Sequence, residues 1–520
     1  MQKTFYTVLL VSATLLSTAQ TTSEKYTATI TATDLKKHLV IIAGPEMEGR
    51  ETATEGQKKA AAYIEDYFKA LGLKPGNNGS FQQVFPLMED TLVSSRIQIG
   101  ANEYSYGKDY MMSARINNSG DAKANSIVFA GYGISDSLYD DYANLDVKNA
   151  IVVLALGEPK INDKFIITGT NRASAWSTLA MKRQLAIEKG AVGIFVVSPR
   201  LVNIDSSSAA NQRKTGAYLF GKQAEEVPAI NVASISQKVF KEIFPGEFGS
   251  SMLKKLDSNQ VFAQAEHVST GKKTIFHYTE RIYEKANSSN VVATLEGSDK
   301  KDEFVFLTAH YDHLGKRGNI VYYGADDDGS GTVAVLEMAE AFSRAKADGR
   351  GPRRSIVFMT VSGEEKGLWG SEYYSDHPIF PLEKTTADLN TDMVGRIDPK
   401  RKTGDSLNYL YVIGDNKLSS DLKPISESIN NQYTQLELDY KYNDPADPER
   451  IYYRSDHYNF ARKGVPVLFY FSGTHADYHR PTDTVDKINF ELMEKRVHFI
   501  FNTAWEIANR NNMLKRDLAL

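Results

Sequence analysis

The chain has 520 residues, 42% of them hydrophobic and 24% charged, with a formal net charge of −4. That length exceeds what one core supports, so two or more domains are expected, and the near balance of charge gives no electrostatic reason for nucleic acid or an anionic membrane as partner. Cysteine is absent, which excludes disulfides, metal–thiolate sites and a cysteine nucleophile and leaves nitrogen and oxygen ligands for any metal.

The N-terminus has the pattern of an export leader. Lys3 supplies the positive charge, residues 8–16 are apolar, and Ser17-Thr18-Ala19 fits a small-x-small cleavage site before Gln20. Residues 1–19 are therefore expected to be removed, leaving an exported protein, periplasmic or secreted. The apolar stretch is well short of the roughly 20 residues that a membrane span needs, and no other segment is apolar enough to cross a bilayer.

Residues 33–42 predict a short helix with Asp34 as cap. GPEMEGRET then forms a polar, glycine-punctuated loop. Apolar residues at Ala60, Ala61, Ile64, Tyr67, Phe68 and Leu71 give residues 56–71 a helical period, stopped by Gly72. From about 113 to 267 the runs IVFAGYGI, AIVVLAL, GIFVVSP and VPAINVA predict short buried strands, with a helix over 175–189. None of these runs carries clustered metal-binding side chains, so this stretch is expected to be a separate module without chemistry of its own.

From about 272 strand and helix alternate. SNVVATLEG, EFVFLTAH, SIVFMTVSG, LNYLYVIG and GVPVLFYFSG predict strands. Residues 331–346, GLWGSEYYSDH, LSSDLKPISESIN and NFELMEKRVHFIFNTAWEIANR predict helices. Such alternation implies a largely parallel sheet with helices on both faces, whose ligand sites lie beyond the carboxyl ends of the strands. The expected division is 1–19 leader, 20–112 first part of the catalytic domain, 113–270 insert, and 271–520 the remainder of the catalytic domain.

The acids and histidines of this last region all follow strand cores. They are His310 and Asp312 in AHYDHLG, Asp327 in GADDDGSG, Glu364-Glu365 in SGEEKGLWG, Asp392 in NTDM, and His479 in DYHRPTDT. Two histidines and three carboxylates can hold two borderline cations, with one carboxylate left as a base for a metal-activated water. Each motif alone has a plainer explanation: a capped strand-end histidine, a solvated helix start, an acidic loop. Their conjunction in one α/β region favours a site. Three consecutive acids repel one another unless a cation or other partners compensate, and the middle one, Asp327, is the bridging choice. His313 is set aside as loop support, and Tyr478 can donate to an oxyanion.

Together AHYDHLG, GADDDGSG, SGEEKGLWGS, NTDMVGR, SDH with GVPVLF, and DYHRPTDT resemble the zinc peptidases of family M28, co-catalytic aminopeptidases among them. The resemblance covers residues 289–509 and the helix after EGRET. It implies an α/β three-layer sandwich with a mostly parallel mixed sheet and two zinc ions. One ion falls to His310 and Asp392, the other to Glu365 and His479, with Asp327 bridging them and followed by a cis peptide. Glu364 becomes the general base, Asp312 orients His310, and Tyr478 assists the tetrahedral intermediate. Residues 113–270 are similar to a protease-associated domain, a β-rich insert. The implied activity is aminopeptidase action on peptides. A carboxypeptidase or dipeptidase on the same scaffold stays open because Arg396 and Arg454 lie near the motifs. A glutaminyl cyclase is disfavoured because those relatives use one zinc, and a non-catalytic, receptor-like protein because the ligand set is complete.

Overall fold

A computed structural model of the chain describes residues 23–520, except 115, 116, 118, 199–200, 202–203, 205–208, 212, 215–216 and 220–229. The expected leader and residues 227–229 of VPAINVA lie outside the described residues. The chain divides into two compact units, Met1–Pro86 with Asn287–Leu520, and Leu87–Ala286.

In the first unit the strands are β1 (Thr274–Leu295, by its last residues), β2 (Lys300–His310), β3 (Arg354–Val361), β4 (Thr385–Thr391), β5 (Tyr409–Ile413), β6 (Glu437–Asp439) and β7 (Val467–Phe471). Their order across the sheet is β1-β3-β2-β4-β7-β5-β6. β3, β2, β4 and β7 run parallel, whereas β1 on β3 and β5 on β7 are antiparallel, so the sheet is mixed. The helices are α1 (Ala32–Ile42), α2 (Glu55–Ala70), α3 (Gly331–Ala347), α4 (Trp369–Asp376), α5 (Leu422–Ile429) and α6 (Phe490–Asn509).

The period of two along each strand assigns its residues to two cores. Val305, Leu307 and Ala309 join Leu39, Ile64, Val335 and Ile500 on one face. Phe306, Val357, Met359 and Phe469 join Tyr374 and Phe460 on the other. Both faces are buried, so the central strands lack the polar alternation of a half-exposed sheet and read as continuous apolar runs.

Two local expectations need correction. The cap of α1 is Thr31, whose side chain accepts from the Asp34 N–H, so Asp34 belongs to the first turn. The segment GPEMEGRET is not a solvated loop. Pro45–Arg50 forms a tight turn with left-handed Glu48 and Gly49, and Arg50 is fully buried. The guanidinium of Arg50 donates to the carbonyls of Ile42, Tyr311, Tyr323 and Gly324, which exchanges its water shell for four acceptors.

In the second unit the strands Ser126–Phe129, Ala150–Ala155, Gly193–Val197 and Asn231–Ile235 lie side by side and parallel. Ser269–Thr270 and Tyr110–Met111 close the edges antiparallel. The helices Leu179–Glu188, Gln237–Ile243 and Glu247–Asp257 accompany this sheet, with a core on each of its faces.

Candidate active site

Each catalytic candidate leaves the carboxyl end of a parallel strand or the turn that follows it. His310 ends β2, Glu364 and Glu365 follow β3, Asp392 follows β4, and His479 lies in the loop after β7. Asp327 sits in the turn before α3, where its peptide bond to Asp328 is cis.

The side chains converge. His310 Nε2 lies 3.3 Å from Asp327 Oδ1 and 3.7 Å from Asp392 Oδ1. His479 Nε2 lies 3.2 Å from Asp327 Oδ2 and 3.1 Å from Glu365 Oε2. Glu364 Oε2 is 3.9 Å from His310 Nε2. Ligands at about 2.0–2.2 Å around a tetrahedral ion stand roughly 3.3 Å apart, so these separations suit the shell of an ion. His310 Nε2, Asp327 Oδ2 and Glu365 Oε1 are buried and have no hydrogen-bond partner. Such groups are costly to bury alone. His310, Asp327 and Asp392 form one group able to hold a metal; His313, Asp327 and Glu365 form a second. The structure thus brings all five expected ligands together, and it adds His313, which the sequence reading set aside.

The two other acids of the triplet hold backbone instead. Asp328 accepts from the amides of His310 (3.2 Å), Gly331 (2.8 Å) and Met393 (3.1 Å), tying three ligand-bearing segments to one carboxylate. Asp326 accepts from the Gly395 amide, and Asp483 accepts from the amides of Asp326 and Asp327. Ser455 donates to Asp392 Oδ2 at 2.7 Å. Asp483 and Ser455 stand within DYHRPTDT and SDH, but sequence alone assigned neither a role, because those roles depend on neighbours far along the chain.

Asp312, expected to orient His310, meets that ring mainly through its backbone. His310 Nδ1 meets the Asp312 main-chain carbonyl at 3.1 Å, and the carboxylate lies at 3.7 Å. That carboxylate accepts from Thr52 and from the Glu364 amide, so it holds the turn that carries Glu364. Burial, reinforced by Glu365 and Asp392 and opposed by His310, raises the Glu364 carboxyl well above the usual range. Burial acts against protonation of His479, but Asp327 and Glu365 outweigh it and push the imidazole up to about 10.

A small cavity of about 30 Å³ opens against Asp327, Glu364 and Asp392. Its far wall is apolar, with Met393, Ile451, Phe469 and Phe471, and its rim carries Arg454, Thr474 and Tyr478. Tyr478 stacks on His479 at 3.8 Å, and its hydroxyl accepts from Arg454 at 3.2 Å. Arg396 is taken up by Asp477 at 3.0 Å and by Asp483. A roomier groove of about 380 Å³ lies against Ile425, Tyr433 and Trp505 but carries no ligand set.

The fold and the convergent nitrogen and oxygen donors define an α/β metallohydrolase. Residues 290–504 match the model of peptidase family M28. A probable leucine aminopeptidase of Arthroderma otae is 26% identical over 382 residues, 70% of this chain and 98% of that protein. A probable zinc metalloprotease of Pyrenophora tritici-repentis is 26% identical over 296 residues, 48% of this chain and 65% of its own length. Among solved structures, an aminopeptidase from Aneurinibacillus sp. strain AM-1 aligns with a TM-score of 0.51 at 18% identity, covering 94% of this chain and 97% of that one; this likeness bears on the fold. Residues 290–504, which carry the whole donor set, are similar to peptidase family M28, and the chain is a metallopeptidase.

Proposed function

We propose that this protein is an exported zinc aminopeptidase that releases N-terminal residues from peptides. The observation that carries the reading is the pair of donor groups sharing Asp327. With His479 Nε2 beside the second group, the donors fit two ions, His310 and Asp392 for one, Glu365 and His479 for the other, with Asp327 common to both. Zinc is the reading for both because imidazole and carboxylate are donors that zinc takes and a relative of this chain is a probable zinc metalloprotease. Such ions, when bound, lower the pKa of water and polarise a carbonyl.

The remaining chemistry belongs to the chain. Glu364, not needed as a ligand, accepts a proton from the attacking water and passes it to the leaving amine, for which its raised affinity for protons suits it. Tyr478 donates its hydroxyl to the oxygen that gains charge. The apolar wall of Met393, Ile451, Phe469 and Phe471 receives the side chain of the first residue.

Export is supported by Lys3, the apolar stretch and Ser17-Thr18-Ala19. Among the described residues no helix is long and apolar enough to cross a membrane. The second unit is read as a protease-associated insert without catalytic residues, on the strength of its FAGYGI, AIVVLAL and GIFVV strands.

The test compares peptides with free and acetylated N-termini, with and without chelator. Free peptides should be cleaved, acetylated ones spared, and chelation should abolish turnover until zinc is restored. Equal cleavage of acetylated peptides would sink the aminopeptidase reading; turnover indifferent to chelation would sink the metal.

A further inference from the structure

His313 lies three residues beyond the end of β2 and is fully buried. Its backbone amide donates to the Arg50 carbonyl at 3.2 Å, which fixes the turn. One side of its ring is closed by Gly324, which has φ +54; a Cβ there would stand 2.5 Å from the ring carbons. The imidazole is therefore held in place by backbone.

Its polar atoms are left without hydrogen bonds. Neither ring nitrogen has a partner, and neither do Glu365 Oε1 and Asp327 Oδ2. Yet Nδ1 stands 2.8 Å from Glu365 Oε1 and 3.8 Å from Asp327 Oδ2. At that distance the nitrogen and the oxygen do not meet as donor and acceptor, so both stay open to a third partner. Were His313 only a support for Glu365, Nδ1–H would point at the carboxylate and Nε2 would still be buried alone. His479 approaches the same two carboxylates from a loop position with φ +57, and its side chain is 38% exposed.

We propose that His313 is a further ligand of the ion held by Asp327, Glu365 and His479. That position then takes two imidazoles and two carboxylates, against one imidazole and two carboxylates for its neighbour. The inference rests on the two-ion reading above. It makes the two positions unequal: the richer one fills first and empties last, since imidazole suits zinc well.

The test uses the full-length protein and zinc alone. Zinc-free enzyme is titrated against a competing chelator, and bound zinc is counted by elemental analysis. In His313→Gln, which keeps the bulk and removes the imidazole, the tighter equivalent should weaken by about 100-fold or more, while the weaker one is retained. X-ray absorption of the wild-type protein with two zinc ions needs no variant, so it decides even if the substitution impairs folding. It should report about 1.5 imidazoles per zinc, against about 1.0 if His313 is not a ligand. A value near 1.0, or wild-type affinity for both equivalents in His313→Gln, overturns the assignment. A wild-type protein that never binds a second equivalent overturns the two-ion reading instead.

Discussion

Glu364 is the side chain on which turnover should depend most without holding metal. Glu364→Gln is expected to keep its zinc, counted by elemental analysis, while kcat falls by about 10²–10⁴-fold. Arg454 governs a different quantity. Among the described residues it has no carboxylate partner; only the Tyr478 hydroxyl holds its guanidinium at the cavity rim. Arg396, the other arginine near the motifs, is already paired. A free carboxylate one residue beyond the scissile bond would meet Arg454, and a charge-assisted bond of that kind favours the acid over the amide by about tenfold. Arg454→Met should therefore bring the kcat/KM ratio of Leu-Gly over Leu-Gly-amide toward one. A ratio that stays high would remove Arg454 from substrate recognition. Residue by residue, the ligand types were readable from sequence because the chemistry demands them after strand ends. His313 was not, since a histidine three residues beyond another looks like turn chemistry until both rings are placed in space.

Among the elements, the tight turn Pro45–Arg50 departs most from its sequence pattern. Polar and glycine-rich, it reads as solvated loop, and its charge and turn residues give no sign that Arg50 passes inside to four carbonyls. Arg50→Met should leave those acceptors unpaired and cost about 3 kcal/mol or more, seen as a lower urea midpoint with unchanged slope. Arg50→Lys should recover only part of this, because a single ammonium cannot reach carbonyls in several directions at once. The strands and helices of the catalytic region, by contrast, fall close to where period and punctuation put them. Their cores are continuous apolar runs ended by glycine or acid, as in β3 followed by Ser362-Gly363. What the pattern could not supply is the anchoring of the ligand segments by Asp328, which needs β2, the α3 turn and the end of β4 in register together.

At the scale of the whole molecule, each of the two units has cores of its own. The catalytic unit carries a built-in acid sensitivity. His457 is fully buried, stacks on Phe469 at 4.6 Å, and is pushed down to about 3 by burial. An unfolded histidine takes up a proton near pH 6.5, so between about 6.5 and 3 the unfolded state binds more protons and stability falls with pH. Asp388, pushed up to about 8 by burial, has the opposite sign, so the effect is best read as a difference. The stability gap between wild type and His457→Phe should shift in favour of the variant as pH drops from 6.5, measured by denaturant midpoints. A gap independent of pH would show that folded His457 takes up its proton over the same range as the unfolded residue, so that burial does not depress it.

The unpartnered lone pairs of the active site also bear on how long a molecule survives. Without cations, Asp327, Glu365 and the buried imidazoles face one another with no hydrogen bonds to relieve them, and an ion that binds only the folded chain stabilises it by about 2.7 kcal/mol at a hundred times its Kd. Persistence against an added protease should therefore rise with free zinc over the range in which the sites fill, and Asp327→Asn should flatten that dependence. The abundance of this peptidase would then follow the zinc supply of its surroundings, through the lifetime of the folded chain as well as through its catalysis.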